Sequence, residues 1–151
     1  MSKIATRATI PAMNQESIGK VRQLYEVTKT MPQIPIDTYH VIHGGMYARS
    51  IMIPANSMIT GALIRIATIL IVQGDVVAYI GDKSIELHGY NVVSASAGRK
   101  QAFVALSDVY MTMIFPTDVK TVAEAEDQFT DEADLLVSRG CDRNQTVVTG
   151  E

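Results

Sequence analysis

The stretch between Asn56 and Glu86 contains no histidine, no cysteine and no glutamate, and its only carboxylates, Asp75 and Asp82, each sit beside a glycine in a turn. A segment so poor in imidazole, thiolate and carboxylate offers a divalent transition metal few of its usual ligands. Tryptophan is absent and aromatic residues make up only 6% of the chain. The core must therefore rely on Ile, Val and Leu, with the eight methionines filling irregular gaps. A single cysteine, Cys141, excludes an internal disulfide framework and fits a reducing compartment. The net charge of −3 lacks the basic excess that gripping phosphates would need, which argues against a nucleic-acid partner. The most apolar run, Ile66 to Val72, is far too short to span a bilayer. The N-terminus has no apolar core followed by a small-residue cleavage site. The expectation is a cytoplasmic protein with no membrane partner.

What is present suits one domain: 151 residues, 47% of them apolar against 19% charged. Residues 1–35 form an N-terminal arm. Asn14 is a helix cap there, and Ile18, Val21, Leu24 and Tyr25 follow at helical spacing until Pro32 ends the run. Residues 36–117 are rich in β-formers punctuated by glycine turns. Strands are predicted over 47–53, 58–72 with a break near Gly61, 76–80, 85–87, 90–95, 101–105 and 110–115. Such spacing, with almost no helix between, argues for an antiparallel barrel or sandwich. Residues 67–72 are apolar on both faces. The N-terminal helix or a neighbouring subunit must cover the outer one, which makes a homo-oligomer the expectation. Residues 118–139 are acidic and helical. Thr121 with Glu124 makes a capping box, Val122, Ala123, Ala125 and Phe129 form a stripe, and a second short helix runs through Leu135, Leu136 and Val137 to Gly140. The acidic side chains are read as helix starts and a solvated face, and residues 140–151 as a flexible tail.

The order of these elements from Ile53 to Thr117 resembles the cupin superfamily. The resemblance is carried by Gly74-Asp75 after an apolar strand, by Gly89-Tyr90 before another, and by the Ser96-Ala97-Gly98 turn. With its acidic ending the chain also resembles small cupin-like proteins encoded by bacteriophages. The resemblance implies a mainly β fold: a cupin-like antiparallel β-barrel or jelly roll, with an N-terminal helix and short C-terminal acidic helices. The family's first pair of metal-binding histidines would fall at Thr60 and Ala62 (or at Ile64 and Ile66), its glutamate near Ala67 and its third histidine at Gln101. None of these is a good ligand, so no metal and no cofactor is expected.

The remaining polar residues set the candidate site. His40 and His43 lie three apart, on opposite faces if the segment is a strand, just before Gly44-Gly45. Tyr47 and Arg49 share one strand face. If that face looks inward, Arg49 is a buried cation that needs an anion; if outward, it is a surface or interface residue. Ser96 to Gln101 combines small residues with two cations, either an anion-friendly loop or a solvated turn. Arg65 would pair with an acid across a subunit interface, and His88 is expected to be exposed. No nucleophile arrangement is evident, so no catalytic residue is assigned. Seven residues stand as ligand-binding candidates: His43, Tyr47, Arg49, Tyr79, Arg99, Lys100 and Gln101.

These observations point to a metal-free binding protein that sequesters or senses a small anionic metabolite or nucleotide, in the host cytoplasm if phage-encoded. Two alternatives stay open. One is a cupin enzyme (isomerase, lyase or oxygenase) using relocated metal ligands or acid–base work by His43 with Tyr47. The other is a structural subunit that binds a partner, a host protein among them.

Overall fold

The computed structural model describes residues 8–151, so the first seven residues of the N-terminal arm lie outside the described residues. Two helices and eleven strands follow in the described chain: β1 (Thr9–Ile10), α1 (Gln15–Thr28), β2 (Thr38–His43), β3 (Met46–Ile53), β4 (Met58–Thr60), β5 (Thr68–Gln73), β6 (Val76–Tyr79), β7 (Ser84–Leu87), β8 (Tyr90–Ala95), β9 (Ala102–Ala105), β10 (Val109–Pro116), α2 (Val122–Phe129) and β11 (Asn144–Val148). Strands β3 to β10 form two facing antiparallel sheets, ordered β8-β5-β10-β3 and β4-β9-β6-β7. Eight strands split in this order between two sheets are a jelly roll. β2 and β11 extend the first sheet beyond β3, and β1 extends it beyond β8.

Period-2 alternation builds the core. Val109, Met111, Met113 and Phe115 of β10 point inward, as do Leu70 and Val72 of β5 and Asn91, Val93 and Ala95 of β8. Each large apolar side chain buried here contributes roughly 1.5–3 kcal/mol. The β5–β6 turn depends on Gly74, whose φ is +127°; a Cβ there would meet the Asp108 carbonyl at 2.6 Å.

Helix α1 is capped by Asn14, whose Oδ1 accepts from the Ser17 amide at 2.8 Å. It buries Ile18 and Val21 and reaches the second sheet at β4 and at the β6–β7 turn, where Ser17 touches Gly81. Among the described residues the outer face of β5 therefore stays open: Ile69 is exposed at one end, Val92 flanks Ile71, and Tyr90 and Tyr110 flank Gln73 at the other.

Three expectations are corrected. The second C-terminal helix is only a single 3-10 turn, Ala133–Leu135, after which Leu136 is extended. Glu132, the residue before it, makes no side-chain cap, and its carboxylate is drawn instead to Arg22, Lys100 and the Leu63 amide. The flexible tail is in large part a strand: β11 pairs in parallel with β2, from Asn144↔Thr38 to Val148↔Ile42. Its β-branched Thr146, Val147 and Val148 suit that place, and the pairing satisfies a backbone edge that β2 would otherwise expose. Finally, Arg65 pairs within the chain, donating to Asp131 and to the carbonyls of Asp127 and Gln128 at the end of α2. Among the described residues no helix is long and apolar enough to cross a membrane.

Candidate functional site

Between the two sheets lies a cavity of about 170 Å³. Its walls are largely apolar: Ile51 of β3, Leu70 of β5, and Met111 and Met113 of β10 on one side, with Ile59 and Phe103 on the other. Leu135, Leu136 and Val137, which follow the 3-10 turn, close one end. Thr60, Ala62, Ile64 and Gln101 also line it. These are the positions to which the sequence resemblance assigns metal ligands. A hydroxyl, a methyl, an alkyl chain and an amide do not fit a transition metal, which imidazole, thiolate and carboxylate bind. Among the described residues no group of three His, Cys, Asp or Glu side chains converges elsewhere either.

Arg49 points inward and reaches the cavity wall. The anion it needs comes from its own chain: Arg49 Nη1 donates to Glu126 Oε2 at 2.8 Å, and Nη2 donates to Ser138 Oγ at 2.8 Å. Its guanidinium also sits 5.5 Å from the centre of the Phe129 ring. Glu126 is 3% exposed and accepts further bonds from Ser138 and from Arg139 Nε. Burial pushes the Glu126 carboxyl up, but the bonds from Ser138, Arg139 and Arg49 outweigh it and hold the group below its ordinary value. The expectation of a solvated acidic face thus fails for Glu126. A legible signal existed: Glu126 falls in the stripe of Val122, Ala125 and Phe129, at a core position of the helix.

Behind Arg49, Tyr47 is fully buried, and its hydroxyl meets His40 Nδ1 at 2.7 Å. His40 Nε2 faces Asn144 Oδ1 at 2.7 Å, while Asn144 Nδ2 donates to the carbonyls of Ser138 and Cys141. The amide orientation makes Nε2 the protonated nitrogen, so Nδ1 accepts from Tyr47. Burial lowers the His40 pKa, partly offset by the Asn144 bond and aided by the Arg49 charge. Burial likewise pushes the Tyr47 phenol up.

The Ser96–Gln101 loop is not a solvated turn, because Arg99, Lys100 and Gln101 are all buried. Their side chains alternate. Lys100 Nζ donates to Glu132 Oε1 at 3.1 Å, a carboxylate shared with Arg22 at 2.6 Å and the Leu63 amide at 2.7 Å. Burial raises Glu132, but the bonds from Arg22, Leu63 and Lys100 prevail and bring its pKa down to about 2. Arg99 and Gln101 line the cavity instead. Arg99 is 3% exposed, and its partners are neutral: the carbonyls of Ser96 and Ile66, the Thr68 hydroxyl at 2.7 Å and the Met113 sulfur. Burial pulls its pKa down to about 10. Gln101 Nε2 is buried with no hydrogen-bond partner among the described residues.

Of the seven candidates, the structure thus brings Arg49, Arg99 and Gln101 to one cavity, with Tyr47 behind Arg49 and Lys100 committed to Glu132. His43 and Tyr79 do not join them. His43 is exposed at the end of β2 and bonds the Thr149 hydroxyl, and Tyr79 points outward from β6. His88 is exposed between Asp75 and Glu86, which hold its pKa up.

No family model matches the chain, and no curated protein matches it. Solved structures do. A cupin superfamily protein from Desulfitobacterium hafniense is 14% identical at a TM-score of 0.47, over 76% of this chain and 100% of that one. A cupin-2 domain containing protein from Shewanella frigidimarina is 10% identical at 0.45, over 61% and 91%. KdgF from a Halomonas species is 17% identical at 0.46, over 56% and 82%. At these scores the likeness adds nothing to the strand pairing, on which the jelly-roll assignment rests.

Proposed function

We propose that this chain is a metal-free, cupin-like binding protein whose barrel cavity takes up a small anionic metabolite. The observation that carries the reading is Arg99. A buried guanidinium without a carboxylate is costly, and an anionic guest would remove that cost. The other inward cations are already neutralised, Arg49 by Glu126 and Lys100 by Glu132. Residues 1–7 contain no acidic side chain that could serve Arg99. The cavity volume favours a metabolite over a whole nucleotide: about 150 Å³ of apolar cavity accommodates a benzene. A pocket of this kind suits sequestering or sensing, the use a bacteriophage-encoded protein would make of it against a host metabolite.

Acid–base work by His43 with Tyr47 gains no support, since the two side chains leave their strands on opposite sides of the sheet. The open apolar face around Ile69 and Tyr110 supports assembly with a second copy.

Native mass spectrometry of the purified protein, with thermal shift across a panel of small anions, tests the reading. A retained or stabilising anion is expected, because a ligand of the folded state must raise its stability. Absence of any shift with any anion would overturn it.

A further inference from the structure

Resting on that reading, we infer that the ligand is a monocarboxylate with a compact apolar body, its two oxygens shared between Arg99 and Gln101. The Arg99 charge asks for an anion, and the Gln101 amide asks separately for an acceptor. Gln101 is 4% exposed, lines the cavity and leaves Nε2 unpartnered, so the fold carries an unsatisfied donor that a guest oxygen would satisfy. The two residues stand two apart in extended chain and both line the same cavity, with Lys100 turned away between them. A planar carboxylate offers an oxygen to each.

The rest of the wall favours a single negative charge. Beyond this polar corner the guest meets Leu70, Ile51, Phe103, Met111 and Met113. The one further cation on the wall, Arg49, is already neutralised by Glu126, and Thr38 and Thr60 add only hydroxyls, so a second carboxylate, or a phosphate with its extra charge, would find no free charge to meet it. The 170 Å³ volume suits a body of about benzene size. Methionine adapts its three torsions to ring or chain alike, so aromatic and short aliphatic acids both fit.

The test is calorimetric titration of the full chain with benzoate, hexanoate, hexanol, succinate and inorganic phosphate. Methyl-¹³C methionine NMR locates the guest: Met111 and Met113 line the cavity, while Met52 and Met58 are exposed and serve as controls. Benzoate or hexanoate should bind, shift the Met111 and Met113 methyls alone, and bind at least tenfold more tightly than hexanol. Gln101→Met should weaken the acid by about tenfold, the worth of one charge-assisted bond. It should leave the melting temperature unchanged or higher, since Nε2 gives up no protein bond. Arg99→Gln should abolish binding, but Arg99 also holds the Ser96 and Ile66 carbonyls, so the Gln101 variant decides. Phosphate or succinate binding in place of the monocarboxylates would overturn this inference and leave the anion-binding reading standing. Equal affinity of Gln101→Met and the parent for hexanoate would overturn the shared seat in the same way. No binding of any anion would overturn both.

Discussion

Arg49 and Glu126, 77 residues apart, meet at 2.8 Å inside the molecule and tie β3 to α2. Ser138 and Arg139 complete the same carboxylate, so one glutamate also gathers the segment that closes the cavity. Removing one partner of such a pair strands a buried charge and costs about 3–5 kcal/mol. Glu126→Ala should therefore lose that much in urea denaturation. The double variant Arg49→Met/Glu126→Met should lose clearly less than the sum of its single changes. Additive losses would mean that the two side chains act independently.

The buried imidazole gives stability a pH dependence whose sign is fixed. The folded-state pKa of His40 lies below its ordinary 6.5, chiefly through burial. The unfolded chain therefore binds the proton first, and stability falls as pH drops from about 6.5 toward the folded value. His88 works in the opposite sense: bonded to Asp75 and Glu86, its pKa is raised, so its contribution is present at low pH and fades as pH rises. Its exposure leaves that contribution to solvent screening. In a His88→Gln background, unfolding midpoints between pH 7 and 5 should decline in the parent, and the decline should flatten in His40→Gln. An identical slope in both would remove His40 as its source.

Glu132 holds three elements at once: α1 through Arg22, the cavity wall through the Leu63 amide, and the segment before β9 through Lys100. With its pKa near 2 against an ordinary 4.5, its stabilisation is whole above about 4.5 and is lost as pH falls toward 2. Glu132→Gln should lower stability at neutral pH by about 2 kcal/mol, since bonds to a charged group are lost. It should also make acid unfolding less steep than in the parent. An unchanged acid limb would show that the carboxylate is dispensable.

Much of this architecture was legible in the chain because local rules and tertiary packing agree. Asn14 caps α1, and the alternation of Val109, Met111, Met113 and Phe115 gives β10 its inner face. The glycine turns close the hairpins where positive φ is required, as at Gly74. What stayed hidden were long-range claims on single side chains. Glu132 opens a stretch with helical composition, yet its carboxylate is spent on Arg22 and Lys100, and the turn stops after three residues. Val147 and Val148 look like a loose end until β2 supplies an edge. In the site, Arg99 and Gln101 were visible as a polar cluster, but the Ile64–Arg99 bridge that joins their segment to the strand-poor stretch after β4 is a long-range pairing that no local pattern encodes. His43 and Tyr79 carried suitable chemistry and were set outward by strand parity alone.

Strand parity also leaves an apolar surface exposed among the described residues. On the outer face of the first sheet, Ile69, Tyr90, Val92 and Tyr110 are each more than half exposed and lie on the adjacent strands β5, β8 and β10. Isolated apolar residues need no explanation, but a contiguous patch does. Helix α1 lies against the other sheet and cannot cover it. If a second copy does, light scattering should give twice the chain mass of 16.5 kDa, and the double change Ile69→Lys/Tyr110→Glu should return the chain mass while leaving the circular dichroism unchanged. Both changes fall on the outer face, so the core and cavity keep their packing, and the dimer can fail without the fold failing. A parent that runs as a monomer at tens of micromolar would assign the patch to something other than self-association.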